Sequence, residues 1–205
     1  MPWPDYYNLQ PNTLFYLNHG VKGIFQEAAY QSYAGDLAPM KNYLMSKLLW
    51  DPVHSNATTI MTEFFHLYYG PSVGIKMLHY VQLWSTAVAS KQFFMGESVP
   101  YTSSYLTPKD LLISAALTLP DPSCTDNQAK RLRIASLTTM YVVLLRWKEI
   151  QLYAHTHHIV WPYGEHTVAD TFQVFSSIFT KDANATLLSE GGGHDLKWLK
   201  KELKL

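Results

Sequence analysis

Cysteine is almost absent. Cys124 is the single one in 205 residues, so no internal disulfide can staple the fold. That does not fix the compartment, because large secreted enzymes can manage without disulfides. An excess of either charge is equally lacking, with 16 Lys and Arg against 16 Asp and Glu. A nucleic-acid surface needs surplus cations to neutralise phosphates, so no nucleic-acid partner is expected. Nothing steers the chain toward an acidic membrane either. No apolar run reaches the roughly 18 residues of a membrane helix, and no membrane partner is expected. The opening Met1-Pro2-Trp3-Pro4-Asp5 has neither the basic nor the apolar region of a signal peptide. The localisation therefore stays open; it is secreted or lumenal if a larger parent protein carries a signal.

What is present is apolar and mostly helical in period. The chain is 47% hydrophobic and 16% charged, enough for a packed core. The spacing predicts a short helix over 12–18, closed by Gly20. A helix over 36–50 follows, with Asp36 as N-cap and an apolar stripe of Leu37, Met40, Leu44, Met45, Leu48 and Leu49. Pro52 stops it. A helix over 56–69 then presents Ile60, Met61, Phe64, Phe65, Tyr68 and Tyr69 on one face. Gly70-Pro71 punctuates, and a third long helix carries Val73, Met77, Tyr80, Val81, Trp84 and Val88.

Further on, Thr107-Pro108-Lys109-Asp110 reads as a helix start, and Pro120 and Pro122 break that helix. One long helix is expected over 127–155, with Leu137, Tyr141, Leu144 and Leu145 inward. Its Arg131, Arg133 and Arg146, with Lys148, are available to solvent. Helices over 166–179 and 194–203 and a short extended segment over 185–189 complete the pattern.

One block departs from it. Gly20-Val21-Lys22-Gly23-Ile24-Phe25-Gln26-Glu27 reads as a buried strand, about 21–26, ending on a carboxylate. A strand this apolar belongs in a sheet covered on both faces. A lone strand cannot satisfy its own backbone, so either partner strands come from a region upstream of this chain, or these residues form no strand.

That block and its neighbours resemble a known family. The run from Asp5 to Asn12 (Asp-Tyr-Tyr-Asn-Leu-Gln-Pro-Asn), the run from His19 to Glu27, and the Leu48-Leu49-Trp50-Asp51-Pro52 ending are similar to glycosidase-like proteins with domain of unknown function 4838. So are Tyr68-Tyr69-Gly70-Pro71, Leu106-Thr107-Pro108, Arg131-Leu132-Arg133 and Ser189-Glu190-Gly191. The likeness is specific in the first seventy residues and looser after them. A more distant similarity is to α-glucuronidases and β-hexosaminidases.

The resemblance implies a mainly α chain. Its helical C-terminal module, over 53–205, would be preceded by the last βα unit of an otherwise missing (β/α)8 barrel, over 1–52. The parent protein would then be glycoside-hydrolase-like, with carbohydrate as its partner. Active sites of such barrels lie at the C-terminal strand ends. Glu27 holds that position, and the resemblance makes it an acceptor for sugar hydroxyls. Gln26, Tyr30 and Gln31 are its candidate neighbours. Otherwise Glu27 is a solvated loop acid.

Glycoside hydrolysis needs two carboxyl groups roughly 5–10 Å apart. Asp36 is explained as a cap and Glu63 as a helix-surface charge, so no catalytic residue is assigned and this chain alone is not expected to be catalytic. The alternative is a non-enzymatic helical protein-interaction module. No cofactor and no metal is expected. His155, His157, His158 and His166 are poorly spaced for a helical site and suit a helix C-terminus instead. The glycines over 191–193 lack the Lys-Ser/Thr of a phosphate loop and read as a turn. Two sequons, at Asn56 and Asn184, are candidate glycan acceptors on a secretory route.

Overall fold

The computed structural model describes residues 4–26, 35–89, 106–163, 167–188 and 194–205. The described residues are mainly helical and contain no strand. The helices are α1 (Leu9–Asn18), α2 (Ala38–Trp50), α3 (Ala57–Tyr69), α4 (Pro71–Ala89) and α5 (Pro108–Leu117). They continue as α6 (Asp126–Leu145), α7 (Trp147–Thr156), α8 (Val168–Ser177) and α9 (Leu196–Glu202). A π turn, Ile178–Asp182, extends α8.

Capping chemistry explains most boundaries. The Asn56 side chain accepts from Thr59 N at 2.9 Å and starts α3. Thr107 with Asp110 and Thr125 with Gln128 form capping boxes that start α5 and α6, each satisfying two otherwise orphaned donors. Gly70 at φ 91 turns the chain between α3 and α4, and Pro71 opens α4.

The apolar stripes converge on one core. Leu44 and Leu48 of α2, Met61 and Phe65 of α3, Met77, Tyr80 and Trp84 of α4, Leu111 of α5 and Leu132 of α6 are all fully buried within it. Residues on both sides of position 52 share that core. The Gln10 side chain adds a polar tie across the same line: it donates to Ser55 O at 2.5 Å and accepts from Ala57 N at 2.9 Å.

A buried polar chain runs through the core. Trp84 Nε1 donates to Ser114 Oγ at 2.8 Å, Ser114 and Thr139 hydroxyls pair at 2.8 Å, and Thr139 donates to Tyr80 Oη at 3.5 Å. It links α4, α5 and α6 at fixed register, because each buried polar atom loses free energy if the helices slip.

Four expectations are corrected. Residues 21–26 form no strand: they are irregular and mostly exposed, for the physical reason that no ladder partner lies beside them among the described residues. Residues 185–188 are not extended ladder either; Leu188 N instead donates to His194 O at 2.7 Å.

The single helix over 127–155 is broken at Arg146, whose φ of −108° and ψ of 26° leave the helical region. Arg146 is also not in solvent, being 8% exposed. Its Nη1 donates to the Leu106 carbonyl at 2.7 Å, while Nε and Nη2 clasp Glu149 at 2.9 and 2.8 Å. The fork thus ties the break to the start of α5 on one side and to the first turn of α7 on the other. The fourth correction concerns Asp36 and is given with the site.

Candidate functional site

Chain geometry after α1 decides where the expected carbohydrate segment goes. Gly20, at φ 76, lets the helix close: Gly20 N donates to Leu17 O and Val21 N to Tyr16 O, both at 3.1 Å. That pair of bonds needs a left-handed residue, and only glycine takes it without strain. The chain then runs on as an irregular, exposed segment. Phe25 is 92% exposed and Val21 is exposed as well. Phe15, Tyr16 and Leu17 of α1 and Trp50 at the end of α2 are also exposed, Trp50 to 91%. Of the four expected sugar contacts, Gln26 ends this segment, exposed. Glu27, Tyr30 and Gln31 lie outside the described residues.

Beside Gly35, at the start of α2, lies a buried ionic cluster. The Tyr6 hydroxyl donates to both Asp36 oxygens, at 2.8 and 2.7 Å. Lys41 reaches Asp36 at 3.4 Å and Asp5 at 2.7 Å, and its ammonium sits 5.0 Å from the centre of the Tyr6 ring. Asp36 is only 6% exposed. It does not cap α2: Leu37, at φ 50, occupies the N-cap position with no side-chain cap bond. The carboxylate is held by Tyr6, thirty residues upstream. Burial, and then the Asp36 charge, push the Tyr6 hydroxyl well above its usual pKa of 10.0. Such a hydroxyl stays protonated and serves as a fixed donor. The cluster pins the lead-in to the start of α2 and presents no free carboxylate for acid–base work.

Glu63, the other nearby acid, accepts from the Tyr43 hydroxyl at 3.0 Å across α2 and α3.

Next to that start of α2 opens a cleft of about 340 Å³. Gly35, Leu37 and Pro39 form one side, Tyr68 and Tyr69 of α3 another. Asn127, Lys130, Arg131 and Ile134 of α6 form its floor, and Asp182, Ala183 and Asn184 close it after the π turn. Arg131 lies flat over the Tyr68 ring, 4.0 Å from its centre, and its Nη1 donates to Tyr68 O at 2.7 Å. Tyr68 in turn stacks on Phe64, with centroids 4.7 Å apart and planes 22° apart. Arg133 Nε pairs with Asp182 at 2.7 Å. Asn184 is exposed and held at φ 48.

Sequence reasoning missed this cleft. It treated Arg131 and Arg133 as solvated charges, and nothing in their spacing reveals Tyr68 or Asp182, 63 and 49 residues away. The Arg131-Leu132-Arg133 motif was the available signal.

The remaining candidates are local structure. His157 stacks on Tyr153 with centroids 3.9 Å apart and shares a 2.9 Å hydrogen bond with Tyr153 O. His155 and His158 are exposed near it, and His166 and the glycines 191–193 lie outside the described residues. No group of three His, Cys, Asp or Glu among the described residues is placed to hold a metal ion. Asn56, the first sequon asparagine, is exposed although its Oδ1 caps α3.

Residues 1–82, which run from the lead-in before α1 into α4, match the family model of a domain of unknown function, DUF4838. No curated protein matches the chain, and no solved structure matches it.

Proposed function

We propose that the chain works as part of a glycoside-hydrolase-like protein, as a helical module that braces a barrel and supplies one wall of a carbohydrate site. The observation that carries this reading is the apolar surface left open along 15–25 and at Trp50. Burying one phenylalanine side chain is worth roughly 2–3 kcal/mol, so an exposed Phe25 and Trp50 leave substantial free energy for a partner surface to recover. The resemblance of 19–27 to a last barrel strand names that partner, and the family match covers the same stretch. In this arrangement Glu27 accepts hydrogen bonds from sugar hydroxyls, with Gln26, Tyr30 and Gln31 beside it. The acid–base pair comes from the barrel. Asp36 and Glu63 are already engaged with Tyr6 and Tyr43, in keeping with a chain that is not catalytic alone. Glycans on Asn56 and Asn184 belong to the same proposal, if the parent is secreted.

Hydrolysis of aryl glycosides and uronides by a barrel-bearing protein with this module tests the role of Glu27. Glu27→Gln should lower kcat/KM by about tenfold to a hundredfold, the worth of one strong hydrogen bond to substrate. Undiminished turnover removes Glu27 from the site. An apolar dye tests the docking surface on the chain alone. Fluorescence should rise on mixing and fall in Phe25→Ser/Trp50→Ser; a dim signal in the unsubstituted chain removes the surface.

One observation favours a second reading, a non-enzymatic helical interaction module. The core is continuous from Tyr6 to Leu199, as expected of a body that folds by itself. Turnover that is unaffected by deleting the whole module would select it.

A further inference from the structure

We infer that the cleft between α2, α3, α6 and the π turn binds a small hydroxylated anion, a polyol bearing a carboxylate or phosphate group. The inference is independent of the barrel reading, since it uses neither Glu27 nor the exposed segment.

Charge sets the sign of the ligand. Lys130 and Arg131 line the cleft with one carboxylate, Asp182. Arg133 already neutralises that carboxylate at 2.7 Å. The α6 helix end itself is not the anion receptor, because Thr125 and Gln128 box two of its donors and Asp126 puts a negative charge in its first turn. The side chains must do the work.

Arg131 is held for it. Its guanidinium is pressed on Tyr68, which is pressed on Phe64, and one N–H is fixed to Tyr68 O. A guanidinium has five N–H donors in a rigid fork, and among the described residues that is its one hydrogen bond. The remaining donors are therefore oriented before a ligand arrives, so little side-chain freedom is lost on binding. Lys130 is exposed and makes no ion pair among the described residues. It adds a second, mobile cation.

The rest of the lining fits a polyol. Asn127 offers an amide donor and acceptor, which suits hydroxyls. Leu37 and Ile134 offer apolar surface to C–H faces. About 340 Å³ lies at the small end of ligand sites, right for one sugar-sized molecule.

Calorimetric titration of the whole chain tests this with gluconate, glucose 6-phosphate, neutral glucose and inorganic phosphate. Binding of gluconate or glucose 6-phosphate is expected, and which binds tighter tells carboxylate from phosphate. Glucose should bind at least about tenfold more weakly than either, since an ionised acceptor roughly doubles the strength of each hydrogen bond. Lys130→Glu, at an exposed position, should weaken the charged ligand by about tenfold or more with the melting temperature unchanged. Arg131→Gln should weaken it further.

Three results overturn the proposal: no heat with either charged polyol, glucose binding as tightly as they do, or full affinity in Lys130→Glu. Inorganic phosphate binding as tightly as glucose 6-phosphate would overturn the polyol part.

Discussion

Replacing Trp84 with alanine lowers the unfolding free energy by about 4 kcal/mol, the upper part of the range for large aromatic truncations. Trp84 leads the fully buried side chains by volume, and it stands where α4 meets α5 through Ser114. Alanine leaves both a cavity and a Ser114 hydroxyl reduced to its Thr139 partner. Typical domains have only 5–15 kcal/mol of stability in total, so the variant should unfold at much lower urea. Trp84→Phe separates the two contributions. It keeps most of the volume and removes the N–H donor with a small part of the ring, at about 1–2 kcal/mol. Urea midpoints for both variants check the argument; a loss under about 1 kcal/mol for alanine would mean that α4 does not pack as described.

The second large effect is expected from a single oxygen. Tyr6→Phe keeps ring and volume but takes the hydroxyl from both oxygens of a buried carboxylate. Asp36 keeps Lys41 at 3.4 Å and loses both Tyr6 bonds. About 2–3 kcal/mol should follow, because two hydrogen bonds to a buried charge are removed. A pH series adds an independent reading. Tyr6, Tyr69, Tyr80 and Tyr163 are all pushed above the usual 10.0 by burial. A raised acid pKa means that the native hydroxyl keeps a proton that the unfolded chain gives up. Each such group leaves stability intact below pH 10 and subtracts from it as the pH climbs past 10, by about 1.4 kcal/mol per unit. Tyr6→Phe should therefore be less stable at pH 7 yet fall less steeply above pH 10. Equal alkaline slopes would contradict the burial of Tyr6.

Most helices were legible because their signals are local. Asn56 and Thr107 are short polar caps, and Gly70-Pro71 is a stop followed by a start. Each acts within three or four residues, so sequence carries the whole device. The break at Arg146 was not legible. No proline or glycine marks it, and the residue at the break bonds a carbonyl forty residues upstream. Asp36 failed for the same reason: it has the right type and place for a cap, and a tyrosine in the lead-in claims it first. Segment 21–26 shows a third limit. Apolar content announces that a stretch favours burial, and whether it is buried depends on a surface that must be present. The cleft is drawn from four separate stretches between Gly35 and Asn184, which no single spacing encodes.

The Arg146 clasp also bears on how α5 is anchored. Its guanidinium grips Leu106 O at the threshold of α5, and Thr107 with Asp110 starts the helix one residue on. The register of α5 is thus written at its own doorstep, by one bond from the corner between α6 and α7 and one pair of local caps. Arg146→Met keeps much of the apolar stem and removes the fork, so a buried carbonyl loses its donor, at about 1–3 kcal/mol. An unchanged melting temperature would show that the capping box alone holds the start of α5.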